Sequence, residues 1–402
     1  MTTVEQAEML IQAEVRSFGA EAISFDKAVG RVLAEDVKAD RDLPPFNRVT
    51  MDGIAISYAA IEQNIQAFRI IGTQAAGDQP IELENPDECI EIMTGAALPA
   101  SADTVVPYEQ LKISGETATL TATDIKRSQN LHLLGADKKS GDIIIRSGKL
   151  VTPAMINTIA SVGKSSVLVK KLPRVVIISS GDELVDIDVE PSPVQIRKSN
   201  SYTIQAVLSR HNLSADLLHI PDDPAVTREK IAYSIKNYDV ILMTGGISAG
   251  KFDYIPHALE DSGVKTIFHK VSQRPGKPFW SGKHEHGALV FAFPGNPVAT
   301  FMCLHRYFLP WLNTSVGLAG QAPVYAALSQ DFMFKPELTY FLQVKLRFTT
   351  EGQLLAAPVE GNGSGDFANL ADTDAFMELP LGRSEFKSGE VFRTWPFSNF
   401  AI

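Results

Sequence analysis

Five carboxylates fall in three short segments: Asp182-Glu183, Asp222-Asp223 and Asp253, each within a few residues of the end of an apolar run. Two cations, Arg274 and Lys277, flank the rigid turn of Arg-Pro-Gly-Lys-Pro. A set made only of oxygen donors, without histidine or cysteine, suits a hard cation such as Mg²⁺ better than zinc. Taken singly, each acid has a second reading as a helix cap, because Asp223 stands before Pro224 and Asp253 before Tyr254. Both readings stand for the cluster. The two cations read either as decoration on a solvated hairpin or as an anion pocket. Pro294-Gly295-Asn296-Pro297 leads into the helical pattern VATFMCLHRYF, and free N–H groups at that helix start, beside Lys277, would suit a phosphate or oxyanion. Acids for Mg²⁺ and bases for phosphate in one crevice point to phosphoryl or nucleotidyl chemistry.

A different chemistry is written in Gly246-Ile-Ser248-Ala-Gly250, which spells the G-x-S-x-G of a hydrolase nucleophile elbow. Three readings apply to it: a glycine turn leaving the sheet, an anion-binding nest of N–H groups, and a serine nucleophile. The elbow needs its serine directly between strand and helix, whereas seven residues separate Ser248 from Pro256. The turn is therefore the expectation, with function carried by Asp253 and the backbone at Gly245 and Gly246.

The elements that must position these groups are readable from hydrophobic period. Between Arg174 and about Asn313, apolar β-like runs alternate with helical segments, which predicts a mostly parallel sheet covered on both faces. Strands are expected at 175–179, 215–220, 239–244, 266–271 and 289–293, followed by SSGDEL, PDDP, GGISAGKFD, RPGKP and PGNP. Ligands of open α/β sheets bind at the carboxyl ends of the strands, so these five loops predict a site. The fold class is thus α/β and multidomain. A three-layer α/β/α domain spans 173–325 and a small β-rich domain 51–140. A discontinuous linking domain takes 1–50 and 141–172, and a C-terminal β domain 326–402. Thr3 with Gln6 predicts a capping box, and Thr152-Pro153 a helix start.

Composition narrows the partners. A net charge of −10 argues against a general nucleic-acid surface. The longest uncharged run, 287–304, is interrupted by Pro294-Gly295-Asn296-Pro297, which argues against a membrane span. Two isolated cysteines and an N-terminus unlike a signal peptide predict a reducing, cytoplasmic location.

The segments LPPFNRVTMDGIAI, IMTGAALP, SSGDEL, IPDDP, GGISAGKFDY, RPGKPFWSG, FPGNPV and GNGSGDFANL resemble, in order and approximate spacing, the MoeA-type molybdopterin molybdenumtransferases, relatives of the gephyrin E domain. The resemblance covers nearly the whole chain. It implies four domains in an elongated homodimer, with an α/β domain of molybdopterin-adenylyltransferase type. It also implies insertion of molybdate into adenylylated molybdopterin with hydrolysis of the adenylate bond and loss of AMP. Glu183, Asp222 and Asp253 would hold Mg²⁺ and the phosphate region, and Arg274 and Lys277 would neutralise phosphate or molybdate. Ser199, Asn200 and the turn from Pro294 to Pro297 would line the pterin or oxyanion pocket. Asp52, Thr94 and Asp137, from the other subunit, would close the cleft, although locally each reads as a strand-edge or turn residue. A molybdopterin-adenylyltransferase and molybdoenzyme maturation proteins are the implied partners. Arg274 stands where many members have Lys, Lys198 where Asp is common, His132 where many carry Arg, and Ala299 where Ser is frequent. A pterin-binding scaffold without turnover is the alternative those differences raise, beside a hydrolase using Ser248.

Overall fold

The computed structural model describes residues 1–246, 255–318, 322–359 and 367–398, which fall into two compact units. One comprises 24–27 and 35–167; the other comprises 1–23, 28–34 and 168–402.

In the smaller unit, strands β1 (Gly53–Ile56), β2 (Ala67–Gln74), β3 (Glu88–Ile92), β4 (Thr104–Pro107), β5 (Leu111–Ser114) and β6 (Thr117–Leu120) form one sheet in the order β4-β1-β3-β2-β6-β5. All four residues of β1 are buried. Side chains alternate across a strand, so Ile54 and Ile56 enter one core with Phe68 and Val106 while Ala55 enters another with Ile92 and Val105. Arg48–Val49 pairs antiparallel with Leu131–His132 beside this sheet. Thr152 caps the helix Pro153–Ser161 with proline at its first turn, as the sequence predicts.

The larger unit begins with the helix Val4–Gln12, whose capping box is present: the Gln6 N–H donates to the Thr3 hydroxyl at 3.2 Å and the Thr3 N–H to the Gln6 side chain at 3.0 Å. Its main sheet contains β7 (Val175–Ser180), β8 (Ala215–Ile220), β9 (Val240–Thr244), β10 (Val264–His269), β11 (Trp280–His284) and β12 (Leu289–Phe293), ordered β8-β7-β9-β12-β11-β10. β8, β7, β9 and β12 are parallel. β11 runs antiparallel to both β12 and β10, so β10 runs with the other four. The five expected strands therefore share one direction, and the sixth, which the sequence did not reveal, is the reversed one.

Both faces of the sheet are buried. Val175, Ile177, Leu242 and Phe291 pack on one side, and Val176, Ile178, Met243 and Val290 on the other. This double burial is why the strands read as continuous apolar runs. Truncating one such ring, Phe291, would cost about 3–5 kcal/mol. The helix Pro297–Cys303 continues through a π-helical stretch, Leu304–Phe308, into Leu309–Ser315. Pro310 has no N–H for the Arg306 carbonyl, and the helix widens at that point.

Strands β13 (Val324–Leu328), β14 (Thr339–Phe348), β15 (Leu354–Pro358), β16 (Ala375–Leu379) and β17 (Val391–Pro396) close into a barrel in the order β14-β15-β13-β17-β16, with β16 pairing back to β14. The buried Arg306 joins the layers: its guanidinium donates to Glu8 of the first helix at 2.7 Å and to Glu378 of β16 at 3.0 Å. Among the described residues no helix is long and apolar enough to cross a membrane.

Candidate functional site

Strand order reverses between β7 and β9, since β7 leads to β8 on one side and the chain then proceeds from β9 toward β12 on the other. A crevice opens at such a switch point. Its walls are the loops that the motifs predicted. After β7, Leu184–Val185 pairs in parallel with Ile196–Arg197, and the Lys198 N–H donates to the Val185 carbonyl at 2.8 Å. This small ladder brings Ser199, at the N-terminal boundary of the helix Asn200–Arg210, back beside the end of β7. Asn200 then donates through Nδ2 to the Gly295 carbonyl at 2.8 Å. The turn after β12 is thereby tied to the loop after β7.

Gly245, after β9, has a φ of +87° and sits so close to β7 that a Cβ would lie 2.9 Å from the Ser180 carbonyl oxygen. Any side chain here would be strained by backbone and space alike. Gly295 lies against Gly245, with 3.8 Å between the place of its Cβ and the Gly245 Cα. Gly245, Gly295, Ser180 and Asn200 thus converge, and Gly246 approaches the Ser180 hydroxyl. Ser180 was not anticipated; its only signal was its place in SSGDEL.

The acids divide into roles. Asp223 is a helix cap, accepting from the N–H groups of Ala225 and Val226 at 2.8 and 2.9 Å. Asp182 laces two loops together: its carboxylate accepts the Asp222 N–H at 3.0 Å. Glu183 and Asp222 remain exposed at the same edge. Asp253, Ser248 and the glycine loop at 361–365 lie outside the described residues. No group of three metal-binding side chains occurs among the described residues. Mg²⁺ commonly takes only one or two carboxylates, its remaining positions going to water and substrate phosphate. Two exposed oxygen donors laced to one edge therefore fit that ion.

The cations are carried by the connection from β10 to β11. Gln273–Arg274 pairs in parallel with Thr339–Tyr340 of β14, while fully buried Gln273 reaches back into the turn and donates to the Gly276 carbonyl at 3.1 Å. The Tyr307 hydroxyl donates to the Gln273 carbonyl oxygen. Gly276 has a φ of +91°, and a Cβ there would meet the Gln273 amide and the Cys303 sulfur. The turn is rigid on its buried side and exposes Arg274 and Lys277 on the other. Burial pushes the Tyr340 phenol up, and the neighbouring Arg274 charge opposes that shift.

The expected free N–H groups at the turn after β12 need a correction. The Ala299 N–H is taken by the side chain of Asn296 at 3.1 Å, Pro297 has none, and the Thr300 hydroxyl bonds the Pro294 carbonyl at 2.6 Å. This helix is capped from within, so Pro294 and Pro297 shape the wall without supplying an open row of donors. Half-buried His219, missed in the sequence, contacts the Ser179 hydroxyl at 3.3 Å, and burial, then Lys198, lowers its basicity. Lys198 itself pairs with Asp186 at 3.2 Å. Cys89 and Cys303 are buried, and burial holds both thiols in the protonated form.

In the smaller unit, the Asp52 carboxylate accepts the Thr94 N–H at 2.6 Å, and that bond holds its pKa below the ordinary carboxylate value. Asp137 contacts His132 Nε2 at 2.9 Å, while Arg48, opposite His132 in its strand pair, reaches Nδ1 at 3.0 Å. Arginine can only donate, so Nδ1 accepts and the imidazole proton sits on Nε2, facing Asp137.

The six-stranded sheet with its switch-point crevice is of a molybdopterin-binding class: residues 176–314 match the family model described as a probable molybdopterin binding domain. Residues 2–163 match the MoeA N-terminal region, domain I and II, and residues 325–397 the MoeA C-terminal region, domain IV. A molybdopterin molybdenumtransferase of Synechocystis is 40% identical over 395 residues, covering 98% of this chain and 99% of that one. One from Staphylococcus epidermidis is 31% identical, covering 92% and 89%. A crystal structure of a molybdopterin biosynthesis MoeA protein from Pyrococcus horikoshii superposes with a TM-score of 0.81 at 25% identity, covering 99% of this chain and all of that one. The chain belongs to the MoeA family of molybdopterin molybdenumtransferases.

Proposed function

We propose that this enzyme of molybdenum cofactor biosynthesis inserts molybdate into the dithiolene of adenylylated molybdopterin and releases AMP. Convergence of Ser180, Asn200, Gly245 and Gly295 on the carboxyl edge of the sheet, in a member of this family, carries the reading. The pterin would lie along that glycine-lined wall, where backbone approaches without side-chain obstruction. Glu183, Asp222 and Asp253 would hold Mg²⁺ on the phosphate linkage; the ion supplies neutralisation of phosphate oxygens. Lys277 and Arg274 are aimed by the Gln273-pinned turn, and they would balance the charge of molybdate and of the departing AMP. Water attacks phosphorus, the bond between the two phosphates breaks, and the proton leaves with solvent or product phosphate.

Asp52, Thr94 and Asp137 would reach this crevice from a second copy in a homodimer, with His132 aiming the Asp137 carboxylate. Four domains with the boundaries drawn from sequence, and a cytoplasmic location among molybdopterin-processing partners, complete the proposal. A scaffold that binds without turnover is separated from an enzyme by Glu183→Ala. The enzyme reading expects near-normal calorimetric binding of adenylylated molybdopterin and a fall in turnover of about 100-fold or more. Wild-type protein that binds the substrate yet gives no turnover would favour the scaffold.

A further inference from the structure

Away from the sheet edge, the larger unit holds a cavity of about 490 Å³ between the C-terminal end of the helix Asn200–Arg210, the outer face of Leu309–Ser315 and the end of β17. Asn200 at the other end of the first helix touches the candidate site, so the cavity lies roughly 15 Å from it, the rise of an eleven-residue helix. None of the residues lining it is acidic, in a chain whose net charge is −10. Arg210 and Arg393 both line it, with His211, His305, Val207 and Trp395. Arg210 is oriented by donating to the Phe397 carbonyl at 2.8 Å. Arg393 lies 4.0 Å over the Trp395 ring, a stacked arrangement that leaves the guanidinium edge for an anion.

His305 adds a polar group of defined sense. Only 8% exposed, it contacts the Phe301 carbonyl through Nδ1 at 2.9 Å. A carbonyl only accepts, so Nδ1 carries the proton and Nε2 presents a lone pair, which has no protein partner among the described residues. The ring is held between Phe301 and Phe397, with centroids at 4.3 and 5.8 Å. Arginines, an aromatic wall and a buried acceptor in one cavity of ligand size are complementary to a single kind of molecule.

We propose that this cavity is a second ligand site, built for a flat aromatic anion bearing a hydroxyl away from its acid group. The acid meets Arg393 and Arg210, the ring lies against Trp395, and the hydroxyl donates to His305 Nε2. Binding is reversible and involves no covalent step. Because the site does not overlap the sheet-edge crevice, it stands independently of the reaction proposed above.

Calorimetric titration of the full-length protein with 6-hydroxy-2-naphthoate tests this, with 2-naphthoate and 2-naphthol as controls. One site per chain is expected, with each control weaker by about tenfold or more. Val207→Trp, which fills the cavity, should abolish binding, and Arg393→Gln should weaken it about tenfold. His305→Phe should erase the preference for the hydroxylated ligand over 2-naphthoate. Absence of saturable binding, or unchanged affinity in a natively melting Val207→Trp protein, overturns the proposal. Should Val207→Trp fail to fold, unchanged affinity in Arg393→Gln together with retained hydroxyl preference in His305→Phe overturns it instead.

Discussion

At the scale of single residues, the polar groups divide by what has already claimed them. Asp223 and Asn296 spend their oxygens on helix N–H groups, and Asp182 on the neighbouring loop. Glu183, Asp222, Arg274 and Lys277 remain exposed at the edge, where a charged substrate meets them. A different residue governs acid stability. Burial lowers the His305 pKa from 6.5 to about 4. As pH falls below the ordinary value, the unfolded chain takes up a proton that the folded ring refuses, so stability declines from about pH 6.5 down through about pH 4. The effect reaches roughly 3 kcal/mol at most. Thermal melts between pH 7.5 and 5 should therefore show a shallower decline for His305→Phe than for the wild type. Parallel pH profiles would contradict this assignment.

At the scale of elements, the turn between β10 and β11 is the clearest case of a site made by a buried support. Gln273→Leu keeps the shape but strands the Tyr307 hydroxyl and the Gly276 carbonyl without a partner. A loss of about 2–4 kcal/mol is expected in denaturant unfolding of the larger unit; a change below about 0.5 kcal/mol would mean that the turn does not depend on this pin. None of that support was legible in the sequence, because Gln273 reads as one polar residue in a loop and its partners lie 3 and 34 positions away. The five parallel strands were legible, since burial on both faces writes an unbroken apolar run. β11 was not: Trp-Ser-Gly-Lys-His has no apolar run and acquires its strand from flanking β10 and β12. Capping at Thr3 and Thr152 was readable because it is local, whereas the Asn296 cap was mistaken for a row of open donors. His219 and Ser180 escaped notice because their contacts are made across strands.

At the scale of the whole molecule, Arg306 binds the first helix, the widened helix and the barrel into one unit through Glu8 and Glu378. The smaller unit carries Asp52 with Thr94, and Asp137 with His132. If a homodimer builds each site from the sheet edge of one copy and these residues of the other, two inactive variants should complement one another. Mixing Asp52→Ala with Lys277→Ala after subunit exchange should restore about a quarter of wild-type activity, because half the dimers are mixed and each has one intact site. No recovery despite confirmed exchange would place both groups in the same chain's site. The reaction itself is tested most directly by AMP release from adenylylated molybdopterin, measured with purified protein and Mg²⁺, with and without molybdate. Molybdate-stimulated release, with cofactor able to activate an apo-molybdoenzyme, is the expected result; no AMP under those conditions contradicts the account.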